Sequence, residues 1–141
     1  GRLPNESPVL ESNGARRILI QAVDKPRPDG VEVLRLSATD GQFDPAEIIG
    51  SLQKMGLSHL LVEGGSYTIA KFIDNNLLGR LQIAIAPILI GSGAAGLTLS
   101  DPGVNLRDAI RPETKTYSLG SDVVFDCGLT SQSEAFSKPQ H

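Results

Sequence analysis

Two hydrophobic periods run along this chain, and the switches between them mark its elements. Arg16-Arg17 lead into Ile18-Leu19-Ile20-Gln21-Ala22-Val23, a short apolar run of strand type. Residues 24–30 hold Pro26 and Pro28 and read as a loop. Val31-Glu32-Val33-Leu34-Arg35-Leu36 alternates apolar and polar residues, as a half-buried strand does. The period then becomes helical. Asp44 is placed to cap a helix and Pro45 to occupy its first position. Ile48, Ile49, Leu52 and Met55 recur at helix spacing until Gly56 stops the pattern. Residues 58–62 form an apolar run that reads as a central strand. Residues 66–75 return to helix spacing, with Ile69, Phe72 and Ile73 as the buried stripe, and Asn75-Asn76 end it.

The second half is dominated by strand signals. Residues 81–90 are almost wholly apolar, but Pro87 interrupts them and argues for an edge or a bulge. Gly91-Ser92-Gly93-Ala94-Ala95-Gly96 reads as a flexible loop, and residues 97–112 as irregular chain with at most one short turn of helix. Residues 114–119 and 122–127 read as two strands joined by a tight turn at Gly120-Ser121. The order is β, β, α, β, α, β, loop, β, β. Helices between strands imply crossovers, so an α/β fold with a mainly parallel sheet and a C-terminal antiparallel hairpin is expected. Two helices leave one side of such a sheet thinly covered. A partner, or an N-terminal part not present here, is expected to complete it. The expected division is an N-terminal turn region over 1–16, a partial domain over 17–129 and a polar tail over 130–141.

Composition narrows the function classes. A chain of 141 residues that is 40% hydrophobic can bury a real core as one domain. With a net charge of -3 and no basic tract, no nucleic-acid partner is expected. Aromatic residues are 4% and tryptophan is absent, which disfavours base-stacking platforms. No apolar run approaches the roughly 18 residues of a membrane span, and no signal peptide is visible, so a cytoplasmic, non-membrane protein is expected. Cys127 is the single cysteine, so it can form no internal disulfide, and no metal cluster is expected.

The candidate chemistry sits where strand signals give way to glycine. Leu60-Leu61-Val62 runs into Glu63-Gly64-Gly65-Ser66, and a helix pattern follows at once. Such a corner presents backbone N–H groups and a helix N-terminus, which favour anionic ligand groups. Glycine allows close approach or positive φ. Ser66, Tyr67 and Thr68 fall in the first turn. A plain strand-to-helix turn would carry the same glycines, and the spacing is not that of a dinucleotide fingerprint. Glu63 suits hydrogen bonds from ligand hydroxyls or an amino group; capping the next helix is its simpler use. The loop at Gly91, Ser92 and Gly93 can cradle a phosphate or close over a cofactor, but lacks the lysine of a P-loop. His59, with no second histidine near it in sequence, reads as structural or exposed, Cys127 as a small buried hydrophobe, and Arg80 as a salt-bridge or interface residue. No catalytic residue is identified.

Taken together, Leu61-Val62-Glu63-Gly64-Gly65, the helix with Phe72, Ala84-Ile85-Ala86-Pro87-Ile88-Leu89-Ile90-Gly91 and the last strand Asp122-Val123-Val124-Phe125-Asp126-Cys127 resemble one family. It is the C-terminal reductase domain of the bifunctional riboflavin biosynthesis deaminase-reductase. The resemblance covers roughly residues 17–129 and implies a dihydrofolate reductase-like three-layer fold. It implies NADPH-dependent reduction of a ribosylaminopyrimidinone 5′-phosphate to the ribitylamino form by the full-length parent, and a homodimer. Gly64, Gly65, Ser66, Tyr67 and Thr68 would then hold the cofactor. Glu63, Gly91, Ser92 and Gly93 would border the phosphorylated pyrimidine substrate. Many members carry an acidic pair where this chain has Gly79-Arg80, which leaves room for a related reductase acting on another substrate. The family's domain also begins with a portion that precedes this region, so the chain reads as a C-terminal portion, weak or inactive alone. A non-catalytic fragment serving dimerisation or assembly is the third reading.

Overall fold

A computed structural model of the chain describes residues 3–93, 96–100, 105, 107 and 109–129. The polar tail expected over 130–141, and Ala94-Ala95 within the glycine loop, lie outside the described residues. The chain divides into two units, Gly1–Ser58 and His59–His141.

In the first unit a short 3₁₀ turn, Pro8–Leu10, precedes β1, Arg17–Gln21, and β2, Val31–Arg35. The two strands pair in parallel, with Arg17 opposite Val31 and Gln21 opposite Arg35. The first predicted strand therefore ends before Ala22 and Val23. The loop expected over residues 24–30 connects the two strands, and a polar clasp holds it. Gln21, only 2% exposed, donates to the Lys25 carbonyl at 2.9 Å and accepts from Arg27 Nε at 2.7 Å. Arg27 Nη1 reaches on to the Leu3 carbonyl at 2.7 Å. A buried amide is tolerated because both of its ends are satisfied. Leu10, Leu36 and Pro45 are buried apolar side chains of this unit.

A small hairpin follows, β3, Ala38–Thr39, against β4, Gln42–Phe43. Its turn residues Asp40 (φ 52) and Gly41 (φ 75) are both left-handed, which a two-residue type I′ turn demands. Helix α1, Pro45–Lys54, begins as the sequence indicates: the Asp44 carboxylate accepts from Ala46 N at 2.9 Å. It ends in a Schellman motif. Gly56, at φ 83, donates to the Gln53 carbonyl at 2.9 Å, and Leu57 N to that of Leu52 at 3.0 Å. The predicted stripe Ile48, Ile49, Leu52 and Met55 is half-buried.

The second unit holds α2, Ser66–Asp74, and a three-stranded sheet of β5, Arg80–Ile85, β6, Glu113–Leu119, and β7, Asp122–Gly128. β7 lies in the middle, antiparallel to both neighbours. Gly120, at φ 62, helps turn the β6–β7 hairpin the sequence announces. Ala70, Phe72 and Ile73 are the buried residues of α2, so the stripe is rotated by one position from Ile69, which is half-buried. Val124 and Cys127 are buried from β7.

Two expectations change. The apolar run at 58–62 forms no strand, and of residues 81–90 only the part before Ala86 pairs. The α/β class stands, but its sheets are mixed. Among the described residues the only parallel pairing is β1–β2.

Candidate functional site

The corner from Glu63 to Thr68 is one continuous exposed turn into α2, with only Ser66 half-buried. Gly65 is the N-cap, in extended backbone at φ -70 and ψ 166. Its carbonyl accepts the first helical bonds, from Thr68 N at 3.0 Å and Ile69 N at 3.3 Å. Glycine has no side chain to offer, so no side-chain oxygen caps α2, and no acidic residue stands in its first turn. The N-terminal end of the helix dipole is thus exposed and uncompensated by its own cap. Neither glycine of the pair has positive φ, so conformational freedom does not explain them. A Cβ added to Gly65 would meet nothing within 4 Å, which leaves that backbone open to approach.

Glu63, the first residue of this corner, is exposed. Tyr67 stays 54% exposed, its ring 5.7 Å from Lys71 Nζ, one helical turn further on. Gly91, Ser92 and Gly93 form a separate exposed corner beyond the C-terminal end of β5. Gly91, at φ 85, is required there by its backbone. The apolar residues leading into it, Ile88, Leu89 and Ile90, are exposed as well.

A contact that sequence reading passes over ties the far side of this loop to α2. Ser100 N donates to both Asp74 carboxylate oxygens, at 3.3 and 3.2 Å, and Ser100 Oγ donates to the same carboxylate. Twenty-six positions separate the pair, and no local pattern announces it.

The residues expected to be structural are so. Thr114 Oγ1 lies 3.6 Å from the buried Cys127 Sγ. Arg80 grips Asp126 in a two-pronged ion pair, Nε on one oxygen and Nη2 on the other. Their hydrogen bond holds the Asp126 carboxyl below the usual range. In the first unit Arg16 does the same to Glu32, at 2.6 Å. His59 is exposed. Among the described residues no three His, Cys, Asp or Glu are grouped to hold a metal ion, and no helix is long and apolar enough to cross a membrane.

Known proteins resemble this chain in sequence and in fold. The riboflavin biosynthesis protein RibD of Aquifex aeolicus (strain VF5) is 29% identical over 129 residues, covering 86% of this chain and 34% of that protein. RibD of Actinobacillus pleuropneumoniae is 29% identical over 109 residues, covering 76% and 29%. The 2,5-diamino-6-ribosylamino-4(3H)-pyrimidinone 5′-phosphate reductase of Methanothermobacter thermautotrophicus is 31% identical over 81 residues, covering 56% and 38%. The chain thus spans about a third of the length of these relatives. The solved structure of Acinetobacter baumannii RibD, form 2, superposes with a TM-score of 0.70 at 20% identity, over 92% of this chain and 35% of that one. This likeness establishes the α/β, dihydrofolate reductase-like fold. The family model of the RibD C-terminal domain matches residues 1–125, and over that span, corner and hairpin included, the chain belongs to the RibD C-terminal domain family.

Proposed function

We propose that this chain is the cofactor-holding part of a cytoplasmic NADPH-dependent reductase, with residues 17–129 as its partial reductase domain. The observation that carries the reading is the start of α2. It is a helix N-terminus with no side-chain cap, opened by Val-Glu-Gly-Gly, in a member of the RibD C-terminal domain family. The first-turn backbone of Ser66, Tyr67 and Thr68 holds a cofactor phosphate, and Gly64-Gly65 lets it approach. When bound, NADPH would supply a hydride for a C=N or C=O carbon of the substrate, with a proton completing the reduction at the nitrogen or oxygen. Glu63 accepts hydrogen bonds from the substrate, and Gly91, Ser92 and Gly93 border its phosphorylated side. The substrate is a ribosylaminopyrimidinone 5′-phosphate, the class named for the Methanothermobacter relative, and the product is its ribitylamino form.

A dihydrofolate reductase-like oxidoreductase with another substrate is the second reading. It is favoured by Arg80, locked on Asp126 where many members carry an acidic pair. The working unit is a homodimer. Ile83 and Ile85 on β5 and Val123 on β7 lie on one face of the sheet and stay 40–54% exposed, an apolar surface that a second copy would cover.

Sedimentation of the chain with NADPH, followed at the dihydronicotinamide absorbance, tests both parts. The expected outcome is cofactor absorbance moving with a boundary of dimer mass. Cofactor left in the supernatant would overturn the reading and put the non-catalytic assembly role in its place. A monomer boundary carrying the cofactor would overturn only the dimer.

A further inference from the structure

Gly64 and Gly65 are adjacent, yet their surroundings differ. A Cβ on Gly64 would stand 3.2 Å from Thr68 Cβ, 3.3 Å from its Oγ1 and 3.4 Å from its Cγ2. A Cβ on Gly65 would have open space. Since neither backbone is left-handed, what crowds a side chain at Gly64 is one neighbour, Thr68, which would have to give by a few tenths of an ångström. Thr68 sits in the first turn of α2 and leans back toward the N-terminus, as helical side chains do. Its branched, rotamer-restricted side chain seats against the bare Cα of Gly64.

We propose that Thr68 is the positioning residue of this corner. Its contact with Gly64 sets the angle at which the chain from Glu63 enters α2. It therefore sets where the first-turn N–H groups and the Glu63 carboxylate point relative to each other. The two glycines then have separate duties: Gly64 admits Thr68, and Gly65 leaves the approach open for the ligand. The inference rests on the cofactor reading above and assigns Thr68 a packing duty within it, its side chain turned to the protein instead of the phosphate.

A double-mutant cycle tests this, read by melting temperature and by NADPH titration. Gly64→Ala should lower the melting temperature by about 4 °C or more, since a packed contact is overfilled. It should also weaken NADPH about tenfold through misplacement. Thr68→Ala removes two of the three crowding atoms, so adding it to Gly64→Ala should restore much of both losses. Alone, Thr68→Ala should weaken NADPH about threefold with little change in melting temperature, and Thr68→Ser should behave as the parent does. Gly65→Ala should cost only the poorer N-cap preference of alanine, a loss that adding Thr68→Ala does not restore. Additive effects of Gly64→Ala and Thr68→Ala on melting, or a harmless Gly64→Ala, would overturn the proposal. If the parent chain bound no NADPH, the cofactor reading would fall. The melting cycle would still decide whether Thr68 sets the corner.

Discussion

The two helices of this molecule stop alike and start differently. Each stops in a Schellman motif with one left-handed residue, Gly56 after α1 and Asn76 (φ 54) after α2. Asn76 N donates to the Ile73 carbonyl at 2.8 Å and Leu77 N to that of Phe72 at 2.9 Å, repeating the pattern at Gly56. At the start, α1 supplies everything from within. Asp44 caps Ala46 N, Pro45 has no N–H to satisfy, and Glu47 sets a negative charge in the first turn. Helix α2 starts on Gly65 with no side-chain oxygen and no acid. The contrast separates a helix end that is closed by its own sequence from one that its own sequence leaves uncapped. Family membership says that a RibD-type domain is present. On the proposed reading, the contrast singles out α2 as the helix whose start takes the cofactor phosphate.

The comparison breaks most sharply if α2 is given the start of α1. Gly65→Asp places a capping carboxylate where the phosphate is proposed to sit. The helix should gain, since Asp replaces Gly at an N-cap for a few tenths of a kcal/mol. NADPH should be repelled, with affinity falling tenfold or more, which is about 1.4 kcal/mol. Calorimetric titration beside thermal melting separates the two effects. A variant that melts higher and binds NADPH as the parent does would remove α2 from the cofactor site. The reciprocal change, Asp44→Ala, should cost about 1 kcal/mol of stability and leave NADPH affinity alone. Urea unfolding measures the first. A loss of cofactor affinity in that variant would mean that the start of α1 is not merely structural.

These helix ends were legible because their signals are local. Asp44-Pro45, Gly56 and Asn75-Asn76 carry their physics within a turn of where they act, and so does the Gly120-Ser121 corner. The β3–β4 hairpin went unread although Asp40-Gly41 is a strong type I′ signal, because its strands are two residues each, too short for an alternation to register. The run at 58–62 failed for the opposite reason. An apolar run states that a segment can be buried, but a strand is made by a partner's ladder, and the run encodes no partner. The antiparallel β5–β7 pairing was hidden likewise. It joins Leu81 to Cys127 across most of the second unit, and β-α-β order alone suggested parallel neighbours. At the candidate site, the residue types of the corner were readable, but the tight seat of Thr68 on Gly64 and the tie from Ser100 to Asp74 belong to the folded chain.

The smallest effect sharpens the comparison at the level of the two units. Each carries one surface ion pair that holds a carboxyl below its ordinary pKa, Arg16–Glu32 across β1 and β2 and Arg80–Asp126 across β5 and β7. A carboxyl depressed in the folded state stabilises the fold above its unfolded pKa. That contribution is lost as pH falls through the lower folded value. For Asp126 the loss begins near its ordinary value of 3.8 and runs downward. Both arginines and Glu32 are about half exposed, and only the Asp126 carboxylate is largely covered, so the slope of stability against pH should be shallow, and salt should flatten it further. Asp126→Asn should remove part of that slope below about pH 4, and Arg80→Leu should remove the same part, since each deletes one half of one interaction. Denaturation midpoints taken from neutral pH downward read this directly. If Arg80→Leu left the slope intact while Asp126→Asn removed it, the low pKa of Asp126 would have to come from another neighbour. Lys115, opposite it on β6, is the first to try.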